Sequence, residues 1–224
     1  MKKTIIVILF SLAMPLTSFA QINYGVVVAA GTSKMVTANF QDNWGEFYSG
    51  GLSLSYTDIN NFIYETGLYF DYRDLKIDHY SSELSPNVDG ILYHINDVKI
   101  PFIFGTKIDN GLFSKFNLII QGGMFFSYGL NGKGKIYYYS DLHGDWYNVN
   151  NVFKTNNTII NSTSYEYSPL KRFDTGILLK AGLKYQQFYF SLNSETGLVN
   201  LNSYYDSKIR SSSLYLSIAY NFAK

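Results

Sequence analysis

Along most of the chain, hydrophobic and polar residues alternate with a period of two, the signature of a strand with one apolar face. Tyr48, Gly50, Leu52, Leu54 and Tyr56 fall on one face, and Ser49, Gly51, Ser53, Ser55 and Thr57 on the other. The next run is sharper. Phe62, Tyr64, Thr66, Leu68, Phe70 and Tyr72 share a face, while Glu65, Gly67, Asp71 and Arg73 share the opposite one with Ile63 and Tyr69. The same alternation passes through 98–104, 116–128, 173–185, 188–198 and 214–222, and more weakly through the small residues of 24–30. This pattern predicts eight antiparallel strands of about ten residues each, an even number.

The connections alternate in length. Segments 32–45, 74–93, 131–171 and 199–209 are long and polar, whereas 58–61, 108–115 and 186–187 are short. With both termini on one side, every long segment lies on the other. An all-β, up-and-down transmembrane barrel has this form, with short periplasmic turns and long extracellular loops. No stretch reaches the roughly 18 apolar residues that a membrane-spanning helix needs.

Alternation alone fits two solvents. A soluble, lipocalin-like carrier turns its apolar face inward, whereas a membrane barrel turns it outward. Three features favour the membrane. Aromatics cluster at the ends of the apolar faces, as with Phe62 and Tyr64 at one end and Phe70 and Tyr72 at the other. The apolar faces hold more Phe and Leu than an eight-strand interior accommodates. The polar faces are rich in Gly and Ser, which suits a crowded lumen.

The first twenty residues read differently. Lys2 and Lys3 precede an apolar run over 5–12, and Ser18-Phe19-Ala20 supplies a small-x-small cleavage site before Gln21. This is the pattern of a secretory signal peptide, leaving 21–224 as the barrel domain. No Cys follows the run, which excludes a lipoprotein anchor. Composition agrees with an exported, packed protein. Aromatics make up 18% and charged residues 16% of 224 residues, which excludes a disordered chain. The absence of Cys excludes a disulfide scaffold and a thiol nucleophile. With 18 basic against 17 acidic residues, no bulk charge draws the chain to nucleic acid.

Four short stretches resemble the PorT-like outer-membrane β-barrel proteins of gram-negative bacteria. They are Val98-Lys99-Ile100-Pro101-Phe102, Asp174-Thr175-Gly176 followed by Lys180-Ala181-Gly182, Gly197-Leu198-Val199-Asn200-Leu201, and Tyr220-Asn221-Phe222. The resemblance covers 21–224. It implies an integral outer-membrane barrel surrounded by lipid, and for some members a place among the envelope proteins of a secretion system.

Candidate chemistry concentrates inside the predicted barrel. Glu65, Asp71, Asp97, Asp174 and Glu195 face the lumen with Arg73, Lys99, Lys107, Arg172, Lys180 and Lys184. Near-balanced charge in a narrow interior predicts a paired network that plugs the lumen, because an unpaired buried ion is costly by several kcal/mol. The alternative is a small-solute channel lined by the same groups. Segment 131–171 is a second candidate, a surface-binding loop carrying Tyr137, Tyr138, Tyr139, Trp146, Tyr147, Tyr165 and Tyr167. A rim of strands extending beyond the membrane fits that segment equally well. His79, His94 and His143 fall in or beside predicted loops without metal-ligand spacing. Gly132-Lys133-Gly134-Lys135 lacks the Ser/Thr and strand–helix context of a phosphate loop. No Gly-x-Ser-x-Gly occurs. The expectation is a non-enzymatic barrel without metal or cofactor. The purified mature protein should have the mass of a chain beginning at Gln21; an intact mass that retains 1–20 would refute the export signal.

Overall fold

The computed structural model describes residues 21–37, 41–78, 88–109, 116–139, 144–154, 156–160, 163–167, 169–202 and 208–222. The proposed signal segment lies outside them. Its strands are β1 (Gln21–Thr37), β2 (Gln41–Thr57), β3 (Phe62–Asp78), β4 (Val88–Asp109), β5 (Asn117–Tyr139), β6 (Gly144–Val149), β7 (Asn156–Ile160), β8 (Thr163–Tyr167), β9 (Phe173–Tyr185), β10 (Phe188–Gly197) and β11 (Ile209–Asn221). Eight of these form the wall, in the order β4-β3-β2-β1-β11-β10-β9-β5, and β5 pairs back with β4 to close it. All neighbours are antiparallel. The closing seam runs from Gly25 opposite Asn221 to Thr37 opposite Ile209. The fold is therefore a closed, eight-stranded, up-and-down barrel.

The two fully described turns at the terminal end are tight. Gln186-Gln187 joins the paired residues Tyr185 and Phe188, and Gln186 adopts a left-handed φ of 53°. At the β2–β3 turn, Asp58 Oδ1 accepts from the amides of Asn60 and Phe62, both at 2.8 Å, and Asn61 takes a φ of 65°. Such Asp-anchored turns and left-handed Asn are ordinary turn chemistry.

The side-chain period inverts the usual placement. Along the middle of every wall strand, outward residues are mainly apolar and exposed, with Phe104 at 63%, Leu179 at 59% and Leu216 at 66%. Inward neighbours are buried and mostly polar, with Lys99 and Asp97 at 2%, interspersed with apolar residues such as Val27, Ile63, Ile103 and Ile119. Small inward residues let the wall approach the contents closely. At Gly176 an added Cβ would stand 2.6 Å from the ring of Phe125, which is itself fully enclosed.

At the far end the strands continue beyond the predicted stretches. The segments expected as long connections at 32–45, 74–93 and 131–171 are largely strand. β3 runs on to Asp78, β4 starts at Val88, and β5 extends to Tyr139, where it hairpins into β6. The physical reason is a change of solvent. Past Tyr72, Asn96 and Asn131 the outward face becomes polar, with Lys76, His94, Lys133 and Lys135, while Ile91, Tyr93, Ile95 and Ile136 turn inward. The alternation persists with the opposite chemistry, so the apolar pattern stops but the strand does not.

Besides a register shift between Val88 and Gly90 at the start of β4, two strand irregularities punctuate the ladder. One falls on β2 between Trp44 and Phe47, opposite Leu75 and Arg73. The other is a bulge on β5. Asn96 pairs with Asn131 and Asp97 pairs with Gly129, so Leu130 has no partner and both Leu130 and Asn131 face outward.

Leu179→Arg should weaken folding into vesicles by about 2–4 kcal/mol, the cost of a cation at mid-belt, and Lys180→Arg much less. Urea titration read by the mobility difference between unboiled and boiled samples measures both. Equal tolerance would reverse the assignment of faces.

Candidate functional site

The lumen is built in layers from residues two apart on each strand. Nearest the terminal end, Lys180 Nζ donates to Glu65 Oε1 at 2.7 Å and to Oε2 at 3.0 Å. Gln121 Nε2 donates to Glu65 Oε2 at 3.3 Å, and the Tyr189 hydroxyl donates to Gln121 Oε1 at 3.4 Å. In the middle layer Lys99 Nζ lies 2.6 Å from both Asp71 Oδ2 and Glu195 Oε1. The Tyr215 hydroxyl donates to Glu195 Oε1. Lys99 also sits 5.3 Å from the ring centres of Phe47 and Tyr215, which stack on each other at 4.4 Å. In the third layer Arg73 Nε donates to Asp97 Oδ2 at 2.6 Å and Nη2 donates to Ser127 at 3.2 Å. Arg73 Nη1 reaches Asp174 at 3.9 Å, and Ser211 donates to Asp174 Oδ2 at 2.6 Å.

Eight of the eleven charged residues expected in the lumen thus come together: Glu65, Asp71, Arg73, Asp97, Lys99, Asp174, Lys180 and Glu195. The other three sit at its ends. Lys107 and Lys184 line a polar vestibule of about 410 Å³ at the terminal end, with Asn23, Asn117 and Asn221. Arg172 belongs to the far end. Its Nη1 donates to the carbonyls of Gly129 at 2.7 Å and Leu130 at 3.0 Å, and its guanidinium covers the Phe153 ring at 4.6 Å.

The near-balance expected from the sequence shifts toward acid in the buried layers, where five carboxylates meet three cations. Asp71 and Asp97 stand directly opposite each other on β3 and β4. Like charges so placed repel unless a cation bridges them. Here each carboxylate has its own cation, Arg73 at Asp97 and Lys99 at Asp71, one in the layer on each side. Among the described residues, none donates a hydrogen bond to Oδ1 of Asp71, Asp97 or Asp174.

The network fills the bore. The void left in its middle is about 30 Å³, roughly the volume of one water. Above it the far end is closed by an apolar plug of Met35, Leu75, Tyr93, Ile136, Val152 and Leu201 with their neighbours. Segment 150–154 turns in to supply Val152 and Phe153. It is tied by Val152 N to Gly132 O at 3.1 Å and by Leu170 N to Val152 O at 2.8 Å. Gly129 and Gly132 make room, since an added Cβ there would meet the Phe153 ring or Val152.

The aromatic lumen residues Phe47, Phe125, Tyr189 and Tyr215 were invisible as lumen residues in the alternating pattern. Their signal was phase: Phe125, Tyr189 and Tyr215 each fall between two outward apolar positions, and Phe47 falls between outward Glu46 and Tyr48. Of the aromatic surface candidates, Trp146 is exposed on β6 and packs against Tyr137 of β5 at 5.1 Å between ring centres. Tyr147 lies beside them, half-buried. The side chains of Tyr138, Tyr139, Tyr165 and Tyr167 lie outside the described residues, as do His79 and His143. Among the described residues no group of His, Asp and Glu is arranged to hold a metal ion.

The exposed apolar residues form one continuous belt. On β3 it runs from Phe62 to Tyr72, on β9 from Phe173 to Tyr185, and on β11 from Leu214 to Phe222. Soluble monomers rarely expose contiguous apolar patches beyond a few hundred Å². A closed wall with every strand paired, an apolar exterior and a polar interior is a membrane-spanning barrel.

No family model matches the chain, and no characterised protein matches it in sequence. Solved outer-membrane barrels resemble it in outline. Neisserial surface protein A is 10% identical, with a TM-score of 0.43 over 92% of this chain and 100% of that one. The outer membrane enzyme PagL is 13% identical, with a TM-score of 0.43 over 85% and 97%. Ail, the attachment invasion locus protein of Yersinia pestis, is 14% identical, with a TM-score of 0.36 over 89% and 98%. At such identities the likeness transfers no residue role.

Arg73→Met should destabilise the barrel by about 3–5 kcal/mol, because it leaves Asp97 and Asp174 buried without their cation. Arg73→Met with Asp97→Leu should recover part of that loss. Urea unfolding from vesicles measures both, and a silent Arg73→Met would show that the layer is not a coupled unit.

Proposed function

We propose that this protein is an integral outer-membrane barrel of the PorT-like kind, exported by its signal peptide, that conducts no solute and catalyses no reaction. Its terminal end faces the periplasm and its far end the cell surface. It offers the β5–β6 hairpin and neighbouring strands as a binding surface for other envelope proteins, in the manner of a subunit of a membrane complex. The observation that carries this reading is the double closure of the bore. Three layers of ion pairs fill the middle, and an apolar plug fills the surface end. A porin needs neither and keeps a water-filled lumen.

The surface role rests on Tyr137 and Trp146, paired on a hairpin that stands clear of the belt. Aromatic side chains of this kind give large contact area at low entropic cost. A small-solute channel is the second reading, and the open polar vestibule supports it. That vestibule ends at the Lys180–Glu65 pair, so a channel would require the layers to move apart.

Reconstituted in planar bilayers, the protein should show no discrete conductance steps. Steps that disappear on boiling would establish the channel instead. A photo-crosslinker replacing Trp146 should capture envelope proteins in intact cells, and one replacing Lys184 should not.

A further inference from the structure

Outside the barrel, on the wall formed by β2, β3, β4 and β5, two cavities lie one above the other at the surface end of the belt. The upper, of about 580 Å³, is lined by Tyr72, His94, Asn96, Asn131, Lys133 and Asn150 among others. The lower, of about 270 Å³, is lined among others by Tyr48, Gly50, Phe70, Tyr72 and Leu130. Tyr72 and Asn96 belong to both, so the two form one continuous depression.

The β5 bulge builds it. With Leu130 and Asn131 both outward, an apolar side chain enters the lower cavity and an amide enters the upper one. Gly50 deepens the lower cavity. It faces outward within the belt, and an added Cβ there would meet only Val27 O, 4.0 Å away. The polar part is held in place. Asn96 Nδ2 donates to Asn131 Oδ1 at 2.7 Å. His94 Nδ1 lies 2.6 Å from Asp74 Oδ1 and 3.0 Å from the Tyr72 hydroxyl, and its ring lies near-parallel to Tyr72. Asp74 is buried, and its Oδ1 is committed to His94 within the wall. Lys133 is exposed and supplies a cation to the upper cavity.

We infer that this depression is a binding site for one lipid of the surface leaflet, a glycolipid whose headgroup carries sugar hydroxyls and a phosphate. An acyl chain lies in the slot over Gly50 and Leu130. Amides both donate and accept, which suits hydroxyls, and Lys133 suits phosphate as a point charge. The position commits the site to a lipid: its floor is continuous with the acyl-facing belt, and its polar part begins where the belt ends. This inference rests on the membrane reading of the barrel. Failure of the protein to insert into vesicles would defeat that reading, whereas failure in an inserted barrel concerns this site alone.

The test uses the full mature barrel in phosphatidylcholine nanodiscs, with native mass spectrometry reading retained lipid. Lipid A, a phosphorylated glucosamine disaccharide lipid, serves as the probe, with phosphatidylglycerol and free glucosamine phosphate as the other arms. One lipid A should be retained per barrel in preference to phosphatidylglycerol. Gly50→Leu, which fills the slot without touching backbone, and Asn131→Ala should each weaken retention about tenfold, as expected for losing good packing or a hydrogen-bonded contact. Lys133→Ala, exposed and therefore harmless to folding, should do the same for the phosphorylated probe and leave a dephosphorylated one unaffected. Equal retention of all lipids, or unchanged retention in the Gly50→Leu and Lys133→Ala barrels, would overturn the site. Competition by free glucosamine phosphate as strong as by lipid A would overturn the acyl slot and with it the lipid assignment.

Discussion

Everything in this molecule follows from the pairing of β1 with β11. A sheet that passes through hydrocarbon has no water to satisfy an open edge, and each orphaned amide there costs several kcal/mol. The first and last wall strands meet over thirteen consecutive residue pairs, from Gly25–Asn221 to Thr37–Ile209, and leave no edge between them. Once the wall is closed with eight strands, its bore is fixed, and so is the amount of side chain that fits inside. The crowded glycines, the stacked Phe47 and Tyr215, and the layered ion pairs are consequences of that diameter.

Inside the bore, charge and packing are hard to separate. Lys99 is held by two carboxylates and lies against two aromatic rings, so its ammonium is at once an ion-pair partner and a filler of volume. A buried pair of this kind is weak evidence for stability as such, since well-packed apolar residues often do as well. Here an apolar filling was not free to arise. A lumen as apolar as the belt would leave the chain no preference between its two faces, and register would be poorly specified. The carboxylates and cations therefore also act as a label that says which face is in.

The wall strands were legible because lipid imposes one rule on every outward position between Phe62 and Tyr72 or between Phe173 and Tyr185. The same rule gave the inward phase of Glu65, Asp71, Asp97, Asp174 and Glu195. It failed where lipid ends. Ile91, Tyr93 and Ile95 obey the opposite rule, and a reading tuned to apolar-out alternation stops at Val98. It failed again for partners. Which acid meets Arg73, and that Lys107 and Lys184 stand apart in the vestibule, depends on the stagger between β3, β4, β5 and β9, which no single strand records. Leu130 and Asn131 were opaque for a third reason: a bulge is a property of two strands, and neither residue type announces one.

That bulge gives the barrel a phase joint. Below it, odd-numbered residues of β5 point inward; above it, Gly132, Gly134 and Ile136 do, although β4 beside it keeps a single phase from Ile91 to Lys107. The chain thereby fits two chemistries to one continuous strand without a turn. It also makes this a place in the described wall where length can change without a change of face. Loss of Leu130 would straighten the strand, leaving Gly129 opposite Asp97, Asn131 opposite Asn96 and Gly132 opposite Ile95, so that Lys133 and Lys135 stay outward and Ile136 stays in the plug. A residue lost elsewhere in β4 or β5, with no bulge formed or removed to match it, would turn every side chain beyond it to the opposite face. Changes of length in the wall are thus absorbed at the joint and in the connections rather than along the paired strands.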